Sequence, residues 1–278
     1  MSHPLISCAQ LAEHLGDPAW RIIDCRHQLS DVGHGRRVYA AGHVPGAFFM
    51  HLDEDLSGPM TGQNGRHPLP DPQVLAARLG ALGITRQTEV VVYDDTEGMV
   101  AGRLWWMLRW LGHEKVRVLD GGFNYWVKEG RPLTQDVPTA TPVVFDVERR
   151  DWVVNADAVL ANLERREFLV VDARGPDRYR GENETIDPVG GHIPGALNRF
   201  FRNNLDTDGL FRPAADLRQE FLSLFAGVPP EKIVVQCGSG VSACHHLIAL
   251  EIAGLTGAKL YAGSWSEWCS DPARPVER

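Results

Sequence analysis

Short apolar runs alternate along this chain with longer segments of helical periodicity. Residues 90–93, 116–119, 168–172 and 233–236 are rich in β-branched residues, a composition that predicts buried strands. Apolar positions recur at helical spacing within 100–111 and 241–255, which predicts helices. Strands that alternate with helices in this way form parallel sheets whose crossovers are helical.

The sequence also contains an internal two-fold repeat. Two segments of the first half have a similar segment in the second half. The first pair is IIDCRHQL, with Asp24, and VVDARGPDRY, with Asp172; the second is AAGHVPGAFF around His43 and GGHIPGALNRF around His192. The copies keep the same order and nearly the same spacing, so a two-fold repeat fixes the architecture. We predict an α/β protein of two tandem domains, each a mainly parallel sheet flanked by helices. Because Asp24, Asp172, His43 and His192 recur in both copies, we expect them to have scaffold roles.

The stretch RPLTQDVPTATPVV lacks helical periodicity and lies where the first copy ends, so it predicts a linker. The predicted organisation is an N-terminal domain over residues 1–135, a linker over 136–150 and a C-terminal domain over 151–278.

Charge and cysteine usage narrow the function classes. The chain has 36 acidic and 28 basic residues, a net charge of -8 that offers no general attraction for nucleic acid or anionic membranes. The N-terminal stretch is not patterned as a signal peptide, and no apolar run is long enough to span a bilayer, so we expect a soluble, cytoplasmic protein. Five irregularly spaced cysteines do not form a disulfide framework, so at least one thiol should be free.

The copies differ at the end of one apolar strand. In the second copy the strand runs into Cys-Gly-Ser-Gly-Val-Ser-Ala, which begins at Cys237, and then into a helix. Small residues let backbone N–H groups point into such a turn, where they and the helix N-terminus stabilise an anion such as a thiolate. The first copy has Asp94 there, so we expect only the second domain to be catalytic. The alternative for Cys237 is a buried packing residue.

The paired halves, the His-x-Pro-Gly-Ala segments, the Gly-Gly-Phe-Asn-Tyr-Trp stretch and the CGSGVSA loop together resemble the tandem rhodanese family. Within that family the loop is most similar to those of enzymes that use 3-mercaptopyruvate, whereas thiosulfate-preferring members carry Arg and Lys after the cysteine. The resemblance implies that Gly238, Gly240, Val241 and Ser242 line the substrate site. Ser242 departs from the usual threonine but keeps the hydroxyl.

The resemblance also implies residues for the donor carboxylate. Arg178 matches the family's arginine and Arg180 follows closely, and an arginine fork suits a carboxylate. Many relatives have a second arginine before the Gly-His-Ile-Pro-Gly segment, but this chain has none between Arg180 and His192. Either Arg180 takes that place or the carboxylate is held differently. The alternative for both arginines is solvation of a loop.

A further group implied by the resemblance is Asp53, His67 and Ser239, in which a histidine oriented by a carboxylate relays a proton through the hydroxyl. Asp55 competes with Asp53 for this assignment. The alternative is a solvated acidic loop and a capping histidine.

The expected reaction moves sulfur from 3-mercaptopyruvate through a Cys237 persulfide to a thiol, cyanide or a thioredoxin-like acceptor, without a cofactor or metal. One alternative is a thiosulfate:cyanide sulfurtransferase, and another is a non-catalytic persulfide-binding module. A cysteine phosphatase would need an arginine where this loop has Ala243, so the sequence argues against that class.

Overall fold

The computed structural model describes residues 3–278, which divide into two compact units. Unit 1 comprises the chain up to Gly58, Pro70–Asp151 and Thr207–Leu210, and unit 2 comprises Pro59–Leu69, Trp152–Asp206 and Phe211–Arg278. Each unit therefore takes one short segment from the opposite half of the sequence. As a result, His67 belongs to the same unit as Cys237.

Unit 1 is built on a five-stranded parallel sheet. Its strands are β1 (Leu5–Ile6), β2 (Trp20–Asp24), β3 (Ala47–Phe49), β4 (Glu89–Tyr93) and β5 (Val116–Leu119). Its helices are α1 (Cys8–Ala12), α2 (His34–Ala41), α3 (Pro72–Ala81), α4 (Met99–Trp110) and α5 (Gly122–Lys128). The order across the sheet is β1-β5-β4-β2-β3. Central strand β4 is almost entirely buried, as expected for a parallel sheet covered by helices.

Unit 2 repeats this architecture. Its strands are β6 (Val153–Val154), β7 (Leu169–Asp172), β8 (Leu197–Asn198), β9 (Ile233–Gln236) and β10 (Lys259–Tyr261). Its helices are α6 (Ala156–Arg165), α7 (Pro176–Tyr179), α8 (Ala214–Phe225), α9 (Ala243–Ile252) and α10 (Ser264–Trp268), with 3-10 helices at Phe201–Asn204 and Pro230–Lys232. The order β6-β10-β9-β7-β8 is that of unit 1, and β9 takes the place of β4. The predicted fold class, two tandem parallel-sheet α/β domains, is confirmed.

The predicted strands are confirmed to within a residue, but one helix begins later than the apolar pattern indicates. Helix α9 starts at Ala243 instead of residue 241. Gly240 has φ +75°, which is outside the helical region, so the chain turns there before the helix begins.

The segment predicted as a linker packs against unit 1. It contains no helix or strand, but its backbone N–H groups at Val143 and Glu148 donate to Gly80 and Leu111 carbonyls at 2.9 Å. Phe145 within it is buried. That residues 1–135 and 151–278 fold as separate domains stays a prediction.

The polar residues that recur in both copies make matching contacts within their own units. The carboxylate of Asp24 accepts from Nε of Arg26, and Asp172 accepts in the same way from Arg174. His43 stacks on Tyr39 with ring centroids 3.9 Å apart, and His192 stacks on Tyr179 at 3.7 Å. These buried contacts fit the predicted scaffold roles.

Candidate active site

Cys237 lies at the carboxyl end of β9, in the turn that leads into α9. Cys237 is only 1% exposed to solvent, and the backbone N–H of Gly240 donates to its Sγ at 3.2 Å. A Cβ atom at Gly240 would lie 2.2 Å from the carbonyl oxygen of Ala262. Since φ is also positive there, only glycine fits, and the turn brings its N–H to the sulfur.

Residues at the start of α10 form hydrogen bonds with the backbone of this turn. The backbone N–H groups of Trp265 and Ser266 donate to the carbonyls of Cys237 and Gly238 at 3.0 and 2.9 Å. The N–H of Cys237 donates to Oγ of Ser264 at 3.1 Å. These bonds hold the loop backbone rigidly, so the thiol and its neighbours keep one arrangement.

His67 and Ser239 are brought together as predicted. Nδ1 of His67 is 2.8 Å from Oγ of Ser239, and both residues are buried. The histidine reaches the loop because the segment Pro59–Leu69 packs on the start of α10, where the N–H of Arg66 donates to Oγ of Ser266 at 3.1 Å. The pair can pass a proton between the imidazole and a hydroxyl two residues after the thiol.

Two guanidinium groups lie over the loop at Gly238. A Cβ atom on this glycine would be 2.9 Å from Nη2 of Arg66 and 3.5 Å from both Nη atoms of Arg178. The absence of a side chain at Gly238 therefore makes room for both arginines. Two positive groups next to the first residue after Cys237 favour the binding of an anion there.

Two buried carboxylates hold these arginines. Asp187 forms ion pairs with Nη1 of Arg66 and, at 3.1 Å, with Nη2 of Arg178. Glu184 accepts from Nε of Arg178 at 3.0 Å and from Nη2 at 2.9 Å. Burial raises the pKa of Asp187 in spite of the nearby arginines. Burial would also raise the pKa of Glu184, but hydrogen bonds from backbone N–H groups and from Arg178 lower it.

The other predicted site residues take varied positions. Val241 is buried, and Ser242 precedes the first turn of α9 without capping it. Arg180 is half exposed and forms a two-point ion pair with Glu182, at 2.8 and 2.7 Å. These contacts do not support Arg180 as the substitute for the missing second arginine.

Asp53 belongs to unit 1, where its carboxylate lies 3.9 Å from both Nε2 of His27 and Nδ1 of His51. These three residues form a candidate metal cluster. However, Nδ1 of His51 accepts from the backbone N–H groups of Asp53 and Glu54, and its Nε2 lies 2.9 Å from the carbonyl of Val32. Both nitrogens are thus engaged in hydrogen bonds, which does not fit a metal ligand.

Sequence reasoning missed Arg66. It stands next to His67 in the Asn-Gly-Arg-His-Pro stretch, and adjacency to a predicted catalytic histidine was the one available indication. No arginine stands between Arg180 and His192, whereas the structure places Arg66, from the other half of the sequence, near Gly238.

Three of the remaining thiols are held in their protonated form. Burial raises the pKa of Cys8 to about 12 and that of Cys269 to about 11. Burial, together with the carboxylates of Asp24 and Asp94, raises the pKa of Cys25 well above its usual value. A thiol that stays protonated is a poor nucleophile, so these cysteines are unsuited to sulfur transfer.

The matching turn of unit 1 binds a carboxylate of the chain itself. Asp94, at the end of β4, accepts from the backbone N–H groups of Thr96, Gly98, Val100 and Ala101 at 2.7 to 2.9 Å. Burial raises the pKa of Asp94, although the bonds from Ala101, Gly98 and Thr96 oppose the shift. The N–H groups of this turn are therefore satisfied by its own first residue.

The chain is similar to known proteins over most of its length. The Rhodanese-like domain family matches residues 7–129 and 155–271. A probable 3-mercaptopyruvate sulfurtransferase of Pseudomonas aeruginosa is 46% identical over 99% of this chain and 98% of its own. The thiosulfate sulfurtransferase of Bos taurus is 36% identical over 95% of this chain and 91% of its own. No helix within residues 3–278 is long and apolar enough to cross a membrane.

Among solved structures, the 3-mercaptopyruvate sulfurtransferase SseA of Escherichia coli superimposes with a TM-score of 0.81 at 32% identity, covering 95% of this chain and 99% of that one. Both halves of the sequence thus match one domain type, and the likeness extends over nearly the whole length. This chain belongs to the rhodanese-like family of sulfurtransferases.

Proposed function

We propose that the protein transfers the thiol sulfur of 3-mercaptopyruvate, as the sulfane sulfur of a persulfide on Cys237, to a thiol, cyanide or a thioredoxin-like acceptor. The observation that carries this proposal is the 2.8 Å contact between His67 and Ser239 beside the cysteine, because cleavage of the donor leaves a carbanion that must be protonated. The chemistry is assigned to unit 2, and unit 1 is proposed to be non-catalytic.

In the first half-reaction the Cys237 thiolate attacks the donor sulfur. A new S–S bond forms, the bond between sulfur and C3 breaks, and its electron pair stays on carbon as the pyruvate enolate. Ser239, in contact with His67, supplies a proton to C3, and pyruvate leaves.

In the second half-reaction a thiolate or cyanide attacks the outer sulfur of the persulfide. The S–S bond breaks, the acceptor leaves as a persulfide or thiocyanate, and the Cys237 thiolate is regenerated. The two half-reactions balance without an external oxidant. We further propose a cytoplasmic location, which the five free cysteines support.

A mass measurement tests the proposal. The protein is incubated with 3-mercaptopyruvate without an acceptor and then digested under non-reducing conditions. We expect the peptide that contains Cys237 to gain one sulfur atom, and cyanide to remove it with release of thiocyanate. Unchanged mass on that peptide, while another cysteine gains sulfur, would exclude the assignment.

Thiosulfate is the second candidate donor. Gly238 and Ser239 carry no charge, which argues from the sequence for a poor fit to a compact dianion. The guanidinium groups of Arg66 and Arg178, however, bring positive charge to Gly238 from other parts of unit 2. A competition experiment compares the two donors: labelled thiosulfate and 3-mercaptopyruvate are offered together, and the share of the Cys237 persulfide that carries the label shows which donor the protein prefers.

A further inference from the structure

We propose that unit 2 has a second ligand site, a cavity at the edge of its sheet opposite Cys237, and that this cavity binds a small organic carboxylate with an apolar body. The cavity has a volume of about 820 Å³ and lies where β7 and β9 begin. Lys232, which lines it, precedes β9, and Cys237 follows β9, so their Cα atoms are roughly 16 Å apart along the strand. The inference does not depend on the proposed function.

The walls of the cavity are largely apolar. They come from the end of α6, the start of β7 and the turn after α8, and they include the half-buried side chains of Leu163, Phe168 and Val228. Pockets that hold small organic ligands have volumes of about 300–1,000 Å³ and mostly apolar walls with a few polar groups. The volume and the lining therefore fit one such molecule.

Two cations at the cavity lack a partner. The side chains of Arg166 and Lys232 are exposed and form no hydrogen bond or ion pair with residues 3–278, although the sequence contains 36 acidic residues. Among the described residues that line the cavity, Glu167 is the one acid, and its carboxylate forms no ion pair with them. The cavity therefore carries an excess of positive charge, which suits a carboxylate.

The same place in unit 1 is filled by an arginine of the chain itself. Arg21, in β2, donates from Nε to the carbonyl of Leu82, just after α3, at 2.8 Å. The matching position in unit 2 is Leu169, because each residue lies three places before the aspartate that ends its strand. A leucine cannot donate this hydrogen bond, and Leu169 lines the cavity instead.

A backbone segment also covers this place in unit 1. A Cβ atom at Gly83, which follows α3, would lie 3.2 Å from the carbonyl oxygen of Thr141 and 3.4 Å from Cβ of Ala140. The lining residues described in unit 2 come from 162–170, 194–195 and 226–232, and none comes from the part of the chain after α10. Unit 2 thus leaves open a space that unit 1 closes with its own residues.

The carboxyl ends of α6 and α8 supply a competing charge. Both helices end at the cavity, and the partial negative charge of a helix carboxyl end favours a cation. In the alternative case, Arg166 and Lys232 serve only to offset these helix ends. The two cases differ in their ligand preference, because only an excess of positive charge selects an anion over a cation of the same shape.

The test uses three probes that share one apolar body: 4-phenylbutanoate, 4-phenylbutan-1-ol and 4-phenylbutylamine. Each is titrated into the ¹⁵N-labelled full chain, and binding is followed by the shifts of backbone amide signals in NMR spectra. Shifts at Phe168, Gly227 and Val228 report the cavity, whereas shifts at Gly238 report binding beside Cys237. The measurement therefore separates the two sites.

We expect 4-phenylbutanoate to bind at the cavity roughly fivefold to tenfold more tightly than the alcohol, as contacts to two partly exposed cations would give, and the amine to bind most weakly. The double variant Arg166→Gln/Lys232→Gln should bind the carboxylate no better than the alcohol. Arg165→Gln is the matched control and should keep the preference, because Arg165 is the exposed neighbour of Arg166 and does not line the cavity.

Leu169→Arg gives unit 2 the residue that unit 1 has at this position, and it should weaken the binding of all three probes. Melting temperatures show whether each variant is folded, and the exposed double variant keeps the test decisive if Leu169→Arg is not. Equal affinities for the three probes, tighter binding of the amine, or an absence of shifts at Phe168 and Val228 would overturn the inference. None of these results bears on persulfide formation at Cys237.

Discussion

The turn after β4 in unit 1 and the turn after β9 in unit 2 begin from the same scaffold and end in different chemistry. In unit 1 the carboxylate of Asp94 occupies four backbone N–H groups of its own turn. In unit 2 the sulfur of Cys237 accepts from Gly240, and two arginines lie over the neighbouring glycine. We propose that a shared backbone that binds anions serves stability in one copy and reactivity in the other.

The difference also shows which features belong to the fold and which to the site. The Asp-Arg pair and the stacked His-Tyr pair recur in both units, at Asp24 and His43 in one and at Asp172 and His192 in the other. In unit 2 a hydroxyl-imidazole pair at Ser239 and two guanidinium groups near Gly238 lie beside the turn that holds Cys237. The packing contacts thus recur in both units, while we propose that the chemistry depends on a few side chains at the strand end of unit 2.

The largest expected effect comes from removing the nucleophile. Cys237→Ser should lower thiocyanate formation by roughly a thousandfold or more, since a serine hydroxyl cannot form the persulfide. The steady-state assay with 3-mercaptopyruvate and cyanide measures the loss. Turnover that persists in this variant would place the reaction outside the unit 2 turn.

The single changes Cys8→Ser, Cys25→Ser and Cys269→Ser serve as controls and should retain most of the activity. Burial keeps the pKa of each of these thiols above its usual value. At pH 8 they stay protonated, so iodoacetamide should modify Cys237 before any of them. Peptide mapping over time gives the order of modification.

Arg178→Ala should lower kcat/KM for 3-mercaptopyruvate by about 2–4 kcal/mol in transition-state terms, mainly through a higher KM. The variant removes a charge-assisted contact to the carboxylate and leaves Glu184 and Asp187 with fewer partners. Steady-state kinetics with both donors measure the change. A kcat/KM equal to that of the wild type would show that the carboxylate binds elsewhere.

The Asp94 turn gives a prediction of stability instead of activity. Asp94→Ala leaves four N–H groups, three of them buried, without their acceptor and should lower the free energy of unfolding by about 2–4 kcal/mol. Urea unfolding measures the loss. Asp146→Ala is the control, because its side chain is 65% exposed in an ion pair with Arg86, and it should cost at most about 1 kcal/mol. Equal losses in both variants would contradict the role given to the turn.

Sequence patterns predicted the sheets well because strand and helix periodicities are local properties. Strand β9 and the cysteine that follows it could be read from the apolar run and the glycines of the turn. The placement of Pro59–Leu69 in unit 2 could not be predicted, because a short segment rich in glycine and proline has no periodicity that indicates which unit it packs in. The start of α9 was misjudged because the apolar pattern continues through the turn at Gly240.

Site residues that belong to a recognisable sequence motif could be predicted. A residue that only tertiary packing brings to the site could not. The pairing of His67 with Ser239 was expected from resemblance, and the two atoms lie 2.8 Å apart. Arg66 is placed at the site by its ion pair with Asp187 and by its closeness to Gly238, and no local sequence pattern indicates either. A guanidinium on a long side chain can serve a site from many positions, so sequence spacing alone does not locate it.

The smallest expected effect concerns the choice between donors. The sulfite that leaves from thiosulfate is a stable anion, whereas the enolate that leaves from 3-mercaptopyruvate gains from protonation by Ser239 and His67. We therefore expect 3-mercaptopyruvate to exceed thiosulfate in kcat/KM by at least tenfold, about 1.4 kcal/mol. Ser239→Ala should reduce this preference about tenfold, since it removes the hydroxyl that contacts His67. Ser242→Ala is the comparison and should affect both donors alike. Rate constants for both donors, with cyanide as acceptor, decide the point: a preference that survives intact in Ser239→Ala would mean that the hydroxyl does not deliver the proton.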